Sequence, residues 1–308
     1  MNAMKKSAVG ADIGGSHITC QIFDIENNVP IENSKLRIHV DSRGSKDEII
    51  GSWSEAIRKT TETTGFNALA GIGFAMPGPF DYPNGIAWFN ADVQKFEHLH
   101  GVDVKTELRN HLDLASDFPI RFLNDASCFA IGEAWLGEAV NYKRIITITL
   151  GTGFGTTFIK NRLPVAGVYG IPEDGFLYHI PFQNSIADDY FSTRWFLREY
   201  NEKTGMEISD VKKLAGLAKT DSTIHEIFET FGENLGGFLV PWIVKFDADC
   251  IVLGGNISKS FPLFQKQMKQ QFEKNSLQTA ICISKTDETA ALFGSAKLCD
   301  DGFYNQII

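Results

Sequence analysis

Four short stretches of this chain hold residue types that could do chemistry: Asp12-Ile13-Gly14-Gly15-Ser16, Asn124-Asp125, Gly151-Thr152-Gly153-Phe154-Gly155 and Gly254-Gly255-Asn256. Glycines let a backbone approach a phosphate closely, and successive N–H groups form an anion-binding nest. Asp12, beside the first turn, would face a nucleotide-bound Mg²⁺ through water, because Mg²⁺ keeps much of its hydration. Thr152 could give a phosphate both a backbone and a hydroxyl donor. The 151–155 turn is not a Walker loop, since no Gly-Lys-Ser/Thr follows, nor a Rossmann fingerprint, since the next segment reads as a strand. Gly254, Gly255 and Asn256 follow an apolar strand and could pack against an adenine and ribose. Each of the three glycine stretches also reads as an ordinary turn.

Asp125 has two readings. It stands where a buried strand gives way to a helix, the place of an N-cap. A helix N-terminus is expected to lower its pKa, which leaves a weak base that takes a hydroxyl proton late in phosphoryl transfer. Such help is typically worth about 10²–10⁴ in rate.

The elements that must position these residues follow from pattern and punctuation. Residues 6–12 and 18–24 read as strands around a tight turn in which Gly14 and Gly15 can take positive φ. A helix starts near Ser45, where Ser45 and Glu48 form a capping-box pattern and Ile50, Trp53 and Ile57 make one stripe; Gly65 ends it. Residues 70–75 form a short buried strand stopped by Met76-Pro77-Gly78-Pro79. Residues 120–123 form another, leading through Asn124-Asp125 into a helix that runs to Trp135. The theme then repeats: a strand over 144–150, the glycine turn, and a returning strand over 156–160 closed by Asn161-Arg162-Leu163-Pro164. This strand–turn–strand unit matches residues 6–24 and indicates an internal duplication. A mostly helical stretch covers 185–246, with Pro241 expected to kink its last helix. Residues 250–253 form a strand, and 288–298 an amphipathic helix.

At 308 residues the chain can hold one large or two ordinary domains with a substantial core. Its net charge of −9 argues against non-specific nucleic-acid binding, which needs clustered Lys and Arg. A small anion held by backbone N–H groups remains compatible. Five scattered cysteines with no CxxC pair read as reduced thiols of a cytoplasmic protein. Lys5 and Lys6 precede an apolar stretch that Asp12 and the glycines interrupt too early for a signal peptide. No run of eighteen apolar residues predicts a membrane span.

In this order the motifs resemble the ROK family of sugar kinases and related repressors. Phosphate-1 matches at 12–16, with Ser16 in place of the more usual Thr. The Pro-Gly segment matches at 76–79, followed by Asn84-Gly85, and the acidic motif at Asn124-Asp125-Ala126. Phosphate-2 matches at 151–155, the adenosine motif at 252–256, and a terminal helix at 290–296. The resemblance implies an α/β, two-lobed, actin-like and hexokinase-like (ribonuclease H-like) ATPase fold. Residues 1–122 would form a small N-terminal lobe, with a helix over 288–308 packing back on it, and 123–287 a larger C-terminal lobe. Asp125 would be the general base for a sugar hydroxyl, with Asn124 and Asn90 near the sugar. Asp12 would position Mg²⁺ through water. Gly14, Gly15, Ser16, Gly151, Thr152 and Gly153 would cradle the phosphates of ATP, and Gly254, Gly255 and Asn256 its nucleoside.

The sugar side departs from the family. Its Gly-Glu-x-Gly-His motif reads Gly175-Phe176-Leu177-Tyr178-His179 here, so Phe176 replaces Glu and Tyr178 the second Gly. No cysteine lies between Cys128 and Cys250, so the family's zinc site cannot form. His179 is then a sugar contact or a structural core residue, and Asp188 stands in for the family's downstream Glu. The resemblance thus predicts an ATP- and Mg²⁺-dependent kinase for a hexose or N-acetylhexosamine, cytoplasmic and homodimeric, with neither nucleic acid nor membrane as partner. Eleven residues before Asp12 are too few for the DNA-binding domain of the family's repressors. A catalytically silent sugar- or nucleotide-binding protein, or a sugar-responsive regulator, of the same family is the alternative.

Overall fold

A computed structural model describes residues 6–62, 64–90, 95–286 and 288–307. The chain divides into two compact units, Met1–Leu136 with Glu288–Ile308, and Gly137–Asp287.

In the first unit a hairpin of β1 (Ser7–Ile13) and β2 (His17–Asp24) carries β3 (Val29–Pro30) and β4 (Leu36–His39) on its outer edge. Helix α1 (Lys46–Thr61) begins at the expected capping box: Ser45 Oγ accepts from the Glu48 amide, and Glu48 Oε2 accepts from the Ser45 amide at 2.8 Å. Its stripe Ile50, Trp53 and Ile57 is fully buried. Then come β5 (Leu69–Met76), the small hairpin β6 (Phe80–Asp81) and β7 (Ile86–Ala87), α2 (Val104–Leu112), β8 (Ile120–Asn124) and α3 (Asp125–Trp135). The main sheet runs β3-β2-β1-β5-β8, with β5 and β8 parallel to β1.

The second unit repeats this plan. Strands β9 (Arg144–Leu150), β10 (Phe154–Lys160) and β11 (Leu163–Val165) form a meander, its last turn made by Asn161 and Arg162 at positive φ. A short hairpin, β12 (Pro181–Phe182) and β13 (Ser185–Ile186), leads into α4 (Ala187–Tyr190), α5 (Thr193–Thr204), α6 (Val211–Leu217) and α7 (Ser222–Phe246), which runs through Pro241. Strand β14 (Cys250–Gly254), α8 (Phe261–Lys274) and β15 (Ala280–Ile283) complete a sheet ordered β11-β10-β9-β14-β15. Both sheets thus carry an antiparallel hairpin followed by two parallel strands in the same order, the topological form of a duplication. The core of this unit is rich in aromatics, with Phe154 of β10, Phe191 at the end of α4, and Phe231 and Phe238 of α7 packed together.

Helices α9 (Glu288–Lys297) and α10 (Asp301–Tyr304) return to the first unit. Helix α9 is not amphipathic as its pattern predicted, since every residue from Ala290 to Lys297 is buried. It wedges between the sheet and α3 on glycines. A Cβ on Gly10, Gly73 or Gly132 would stand 1.9, 1.8 or 2.0 Å from a main-chain oxygen of α9, and one on Gly294 would stand 1.8 Å from the Cys128 oxygen. The division between units falls after Leu136 rather than after residue 122, because β8 pairs with β5 and α3 packs on α9. Among the described residues no helix is long and apolar enough to cross a membrane.

Candidate active site

Parallel strands present ligands at their carboxyl ends, and the candidate residues stand there. In the first unit Asp12 of β1 lies opposite Ala75 of β5, and Met76 opposite Asn124 of β8. Asp12 is half-buried, and its carboxyl is pushed up to about 7 by burial first, then by the charges of Asp125 and Glu288. Asp125 is exposed on one side, yet the protein crowding it strips water and raises its carboxyl above the usual range. The Ala126 amide, donating at 2.8 Å, its own amide and the Asn124 side chain pull in the opposite direction and do not prevail. The expected lowering by the helix terminus is therefore overturned.

Asn124, not Asp125, is the N-cap. Its Oδ1 accepts from the amides of Ala126 at 3.0 Å and Ser127 at 3.3 Å. Its Nδ2 donates to the Tyr82 hydroxyl at 3.3 Å, which itself donates to the Met76 carbonyl at 3.2 Å. Asp125 is the first residue of α3, relieved of capping. Nothing in local spacing pointed to Tyr82.

The first glycine turn is closed by the Gly14 amide donating to the His17 carbonyl at 2.9 Å. Neither Gly14 nor Gly15 takes the expected positive φ. Gly14 makes room instead: a Cβ on it would meet the His17 ring at 2.5 Å. Ser16 is exposed at the turn, and Asn90 is exposed beyond the buried Phe89. Glu288, reached from Thr19 Oγ1 at 2.6 Å and from Lys35 at 3.2 Å, is a site neighbour that sequence spacing missed. Burial pushes its carboxyl up, but those two hydrogen bonds and the Lys35 and Arg37 charges hold it below its ordinary range.

Asp12 has a consequence for stability. A carboxyl raised in the folded state binds protons there that the unfolded chain has already released. Stability from this group is therefore fully present below its ordinary pKa and falls as pH rises from about 4 through about 7. Asp12→Asn, which cannot ionise, is expected to melt with the wild type at pH 4 and above it at pH 8 in cation-free buffer. Equal melting temperatures at pH 8 would refute this account.

In the second unit the 151–155 turn is braced from α4 and α5. The Phe154 amide donates to Asp188 Oδ1 at 2.7 Å, and Arg194 donates to Asp188 Oδ2 at 2.5 Å. The amide and hydroxyl of Thr193 both donate to the Gly151 carbonyl, at 2.8 and 2.9 Å. Asp188 thus has both oxygens engaged by the glycine turn and its support. Thr152 and Gly153 are exposed at the tip. Gly254 pairs with Thr149 across β14 and β9, which lays the third turn beside the second. Gly255 is at φ 81°, and a Cβ there would stand 2.3 Å from the Leu150 carbonyl oxygen, so only glycine fits; Asn256 beyond it is exposed.

His179 is exposed and faces Asp174 at 3.6 Å, which removes the reading of it as a core residue. Phe176 and Tyr178 pack at 6.3 Å, and Tyr178 meets the His179 ring edge-on at 5.0 Å. These residues do not fit zinc: no thiolate lies between Cys128 and Cys250 to bind it, and no group of three metal-ligating side chains occurs among the described residues. Asp12 does fit a hydrated Mg²⁺. Its carboxyl, poorly hydrated and beside the charges of Asp125 and Glu288, suits a cation that takes one or two protein carboxylates and its remaining ligands from water and phosphate.

The ROK family model matches residues 8–301. An N-acetyl-D-glucosamine kinase of Pectobacterium carotovorum is 26% identical over 274 residues, covering 83% of this chain and 86% of that relative. The crystal structure of a ROK hexokinase from Thermus thermophilus superposes with a TM-score of 0.77 at 18% identity, covering 94% of this chain and 97% of that one. A ROK glucokinase from Streptomyces griseus, in complex with glucose and AMPPNP, gives 0.73 at 20% identity, covering 95% and 98%. A ROK transcriptional regulator, a homologue of the E. coli MLC protein, gives 0.78 at 15%, covering 99% and 80%.

Proposed function

The chain belongs to the ROK family, and from that membership we propose that it is an ATP-dependent kinase transferring the γ-phosphoryl group to a hydroxyl of a hexose or N-acetylhexosamine. The observation that carries this reading is Asp125: a solvent-reachable carboxylate, freed from capping by Asn124, with its proton affinity raised beside Asp12. A base is most useful when its pKa is brought toward the operating pH, and dehydration does that here. The relative that phosphorylates N-acetyl-D-glucosamine supports an amino sugar among the acceptors.

Asp125 accepts the hydroxyl proton as the sugar oxygen attacks, and the rigid cap at Asn124 fixes its direction. Asn124, Asn90, His179 and Asp188 are assigned to the sugar side, with Asp188 acting chiefly by bracing the turn at Gly151, Thr152 and Gly153. That turn and Gly14, Gly15 and Ser16 hold phosphate oxygens through backbone donors, while Gly254, Gly255 and Asn256 border the nucleoside. Asp12 would hold a hydrated Mg²⁺. When bound, Mg²⁺ offsets charge on the β- and γ-phosphates. Phosphoryl transfer asks mainly for positioning and charge stabilisation, so this set is sufficient.

A second reading, a sugar-responsive protein without turnover, is favoured by one observation. Phe176 and Tyr178 place two aromatic rings in the loop where the family carries Glu and Gly. ADP release with Mg-ATP over a panel of hexoses and N-acetylhexosamines separates the two. Turnover on at least one sugar is expected; none on any, with sugar binding retained, would establish the second reading.

A further inference from the structure

The ammonium of Lys95 lies over the backbone of the first glycine turn. A Cβ on Gly15 would stand 2.6 Å from both Nζ and Cε of Lys95, so it is the bare glycine that lets the lysine tip rest there. Its neighbour holds it in place. Phe96 adopts a left-handed backbone with φ 56°, a conformation that strains a bulky residue and persists only where the surroundings impose it. The surroundings do impose it. The Phe96 ring is buried, 5.5 Å from Trp53 and 5.6 Å from Phe89, and its amide donates to the Ser42 carbonyl at 2.8 Å. The root of Lys95 is thereby anchored to the core while the residue itself stays exposed.

The other cations of the turn are committed elsewhere. Lys35 and Arg37 face Glu288 at 3.2 and 4.0 Å, and burial followed by the Arg37 charge drives His17 toward its neutral form. Among the described residues no carboxylate is paired with Lys95.

The geometry points to Lys95 as a phosphate-contacting residue, placed to meet the terminal phosphoryl oxygens of a nucleoside triphosphate seated on Gly14, Gly15 and Ser16. The inference rests on the kinase reading above and adds to it a cationic side chain that backbone donors do not replace. In the transfer, the bond from the γ-phosphorus to the β–γ bridging oxygen breaks as the bond to the sugar oxygen forms. The hydroxyl proton passes to Asp125, and ADP leaves with the electron pair of the broken bond. Lys95 offsets charge on the equatorial oxygens.

Lys95→Met and Lys95→Arg test this in the full chain, with ADP release measured on the sugar that the wild type turns over fastest. Lys95→Met is expected to lower kcat roughly 10²–10³-fold with sugar KM and melting temperature unchanged, and Lys95→Arg to recover most of it, since loss of one preorganised donor commonly costs about that much. Wild-type kcat in Lys95→Met, or a lowered melting temperature with no rescue by arginine, would overturn the role while leaving the kinase reading intact. Absence of turnover by the wild type would instead sink the kinase reading. Calorimetric binding of ATP and AMP then decides Lys95: the excess affinity for ATP should fall in Lys95→Met, and an unchanged excess would overturn the role.

Discussion

Asp125→Asn is expected to lower kcat for sugar phosphorylation by roughly 10²–10⁴-fold, the range for losing a positioned general base. The substitution keeps the shape of the side chain and an oxygen able to accept from the Ala126 amide, now at 2.8 Å. It leaves the cap untouched, because Asn124 supplies it. Stability and sugar affinity should therefore be retained while the proton has nowhere to go. Removing the Asp125 charge also relieves Asp12, whose proton affinity should fall. The check is kcat for wild type and variant on the best sugar, with sugar binding measured by calorimetry. A variant that turns over at the wild-type rate would show that the base lies elsewhere.

Gly73→Ala carries the second large effect, on folding rather than chemistry. The new methyl would stand 1.8 Å from the Ser295 carbonyl oxygen and 2.5 Å from its carbon. A main-chain carbonyl inside a buried helix has no rotamer to escape to, so α9 must move off the sheet or the helix must distort. Overpacking typically costs about 1–3 kcal/mol, and with a main-chain oxygen in the way this case belongs at the upper end or above it. Gly51→Ala is the internal control. Gly51 lies in α1 with nothing within 4 Å of its added Cβ, and the exchange should stabilise by about 0.5–1 kcal/mol from helix propensity. Urea unfolding of both variants compares them directly. Gly73→Ala as stable as Gly51→Ala would refute the packing account.

The strands that deliver the site were legible because their residues are buried on both faces and end in glycine or in Asn124-Asp125. The capping box at Ser45 was legible because its partners are three residues apart. Helix α8 was readable and passed over: Phe261, Phe264, Met268 and Phe272 form its buried stripe, behind a Pro262 at the start. Strand β4 is short, half its residues are exposed, and it leaves little periodicity to find. What spacing cannot disclose is contact at long range. Thr19 and Glu288 meet across 269 residues, Tyr82 reaches Asn124 across 42, and Lys95 reaches Gly15 from the far side of strands β2 to β7 and helix α1. The glycines show the same limit from the other side. Gly14 and Gly15 suggested a bend and in fact make space, while Gly10, Gly73 and Gly132 carried no motif and turn out to seat a whole helix.

That seating has a consequence in time. The second unit is one uninterrupted stretch of chain, whereas the first is split, its sheet made early and the helix that covers Gly10 and Gly73 made last. At ribosomal speeds of about 5–20 residues per second, the segment from β1 to α9 takes on the order of tens of seconds to appear. During that interval the half of the molecule bearing Asp12 and Asp125 stands with an apolar groove uncovered, while the later half is already able to close its own core. Synthesis order thus makes the nascent carboxylate-bearing unit the one that needs shelter, and the arrival of α9 the event that ends its vulnerability.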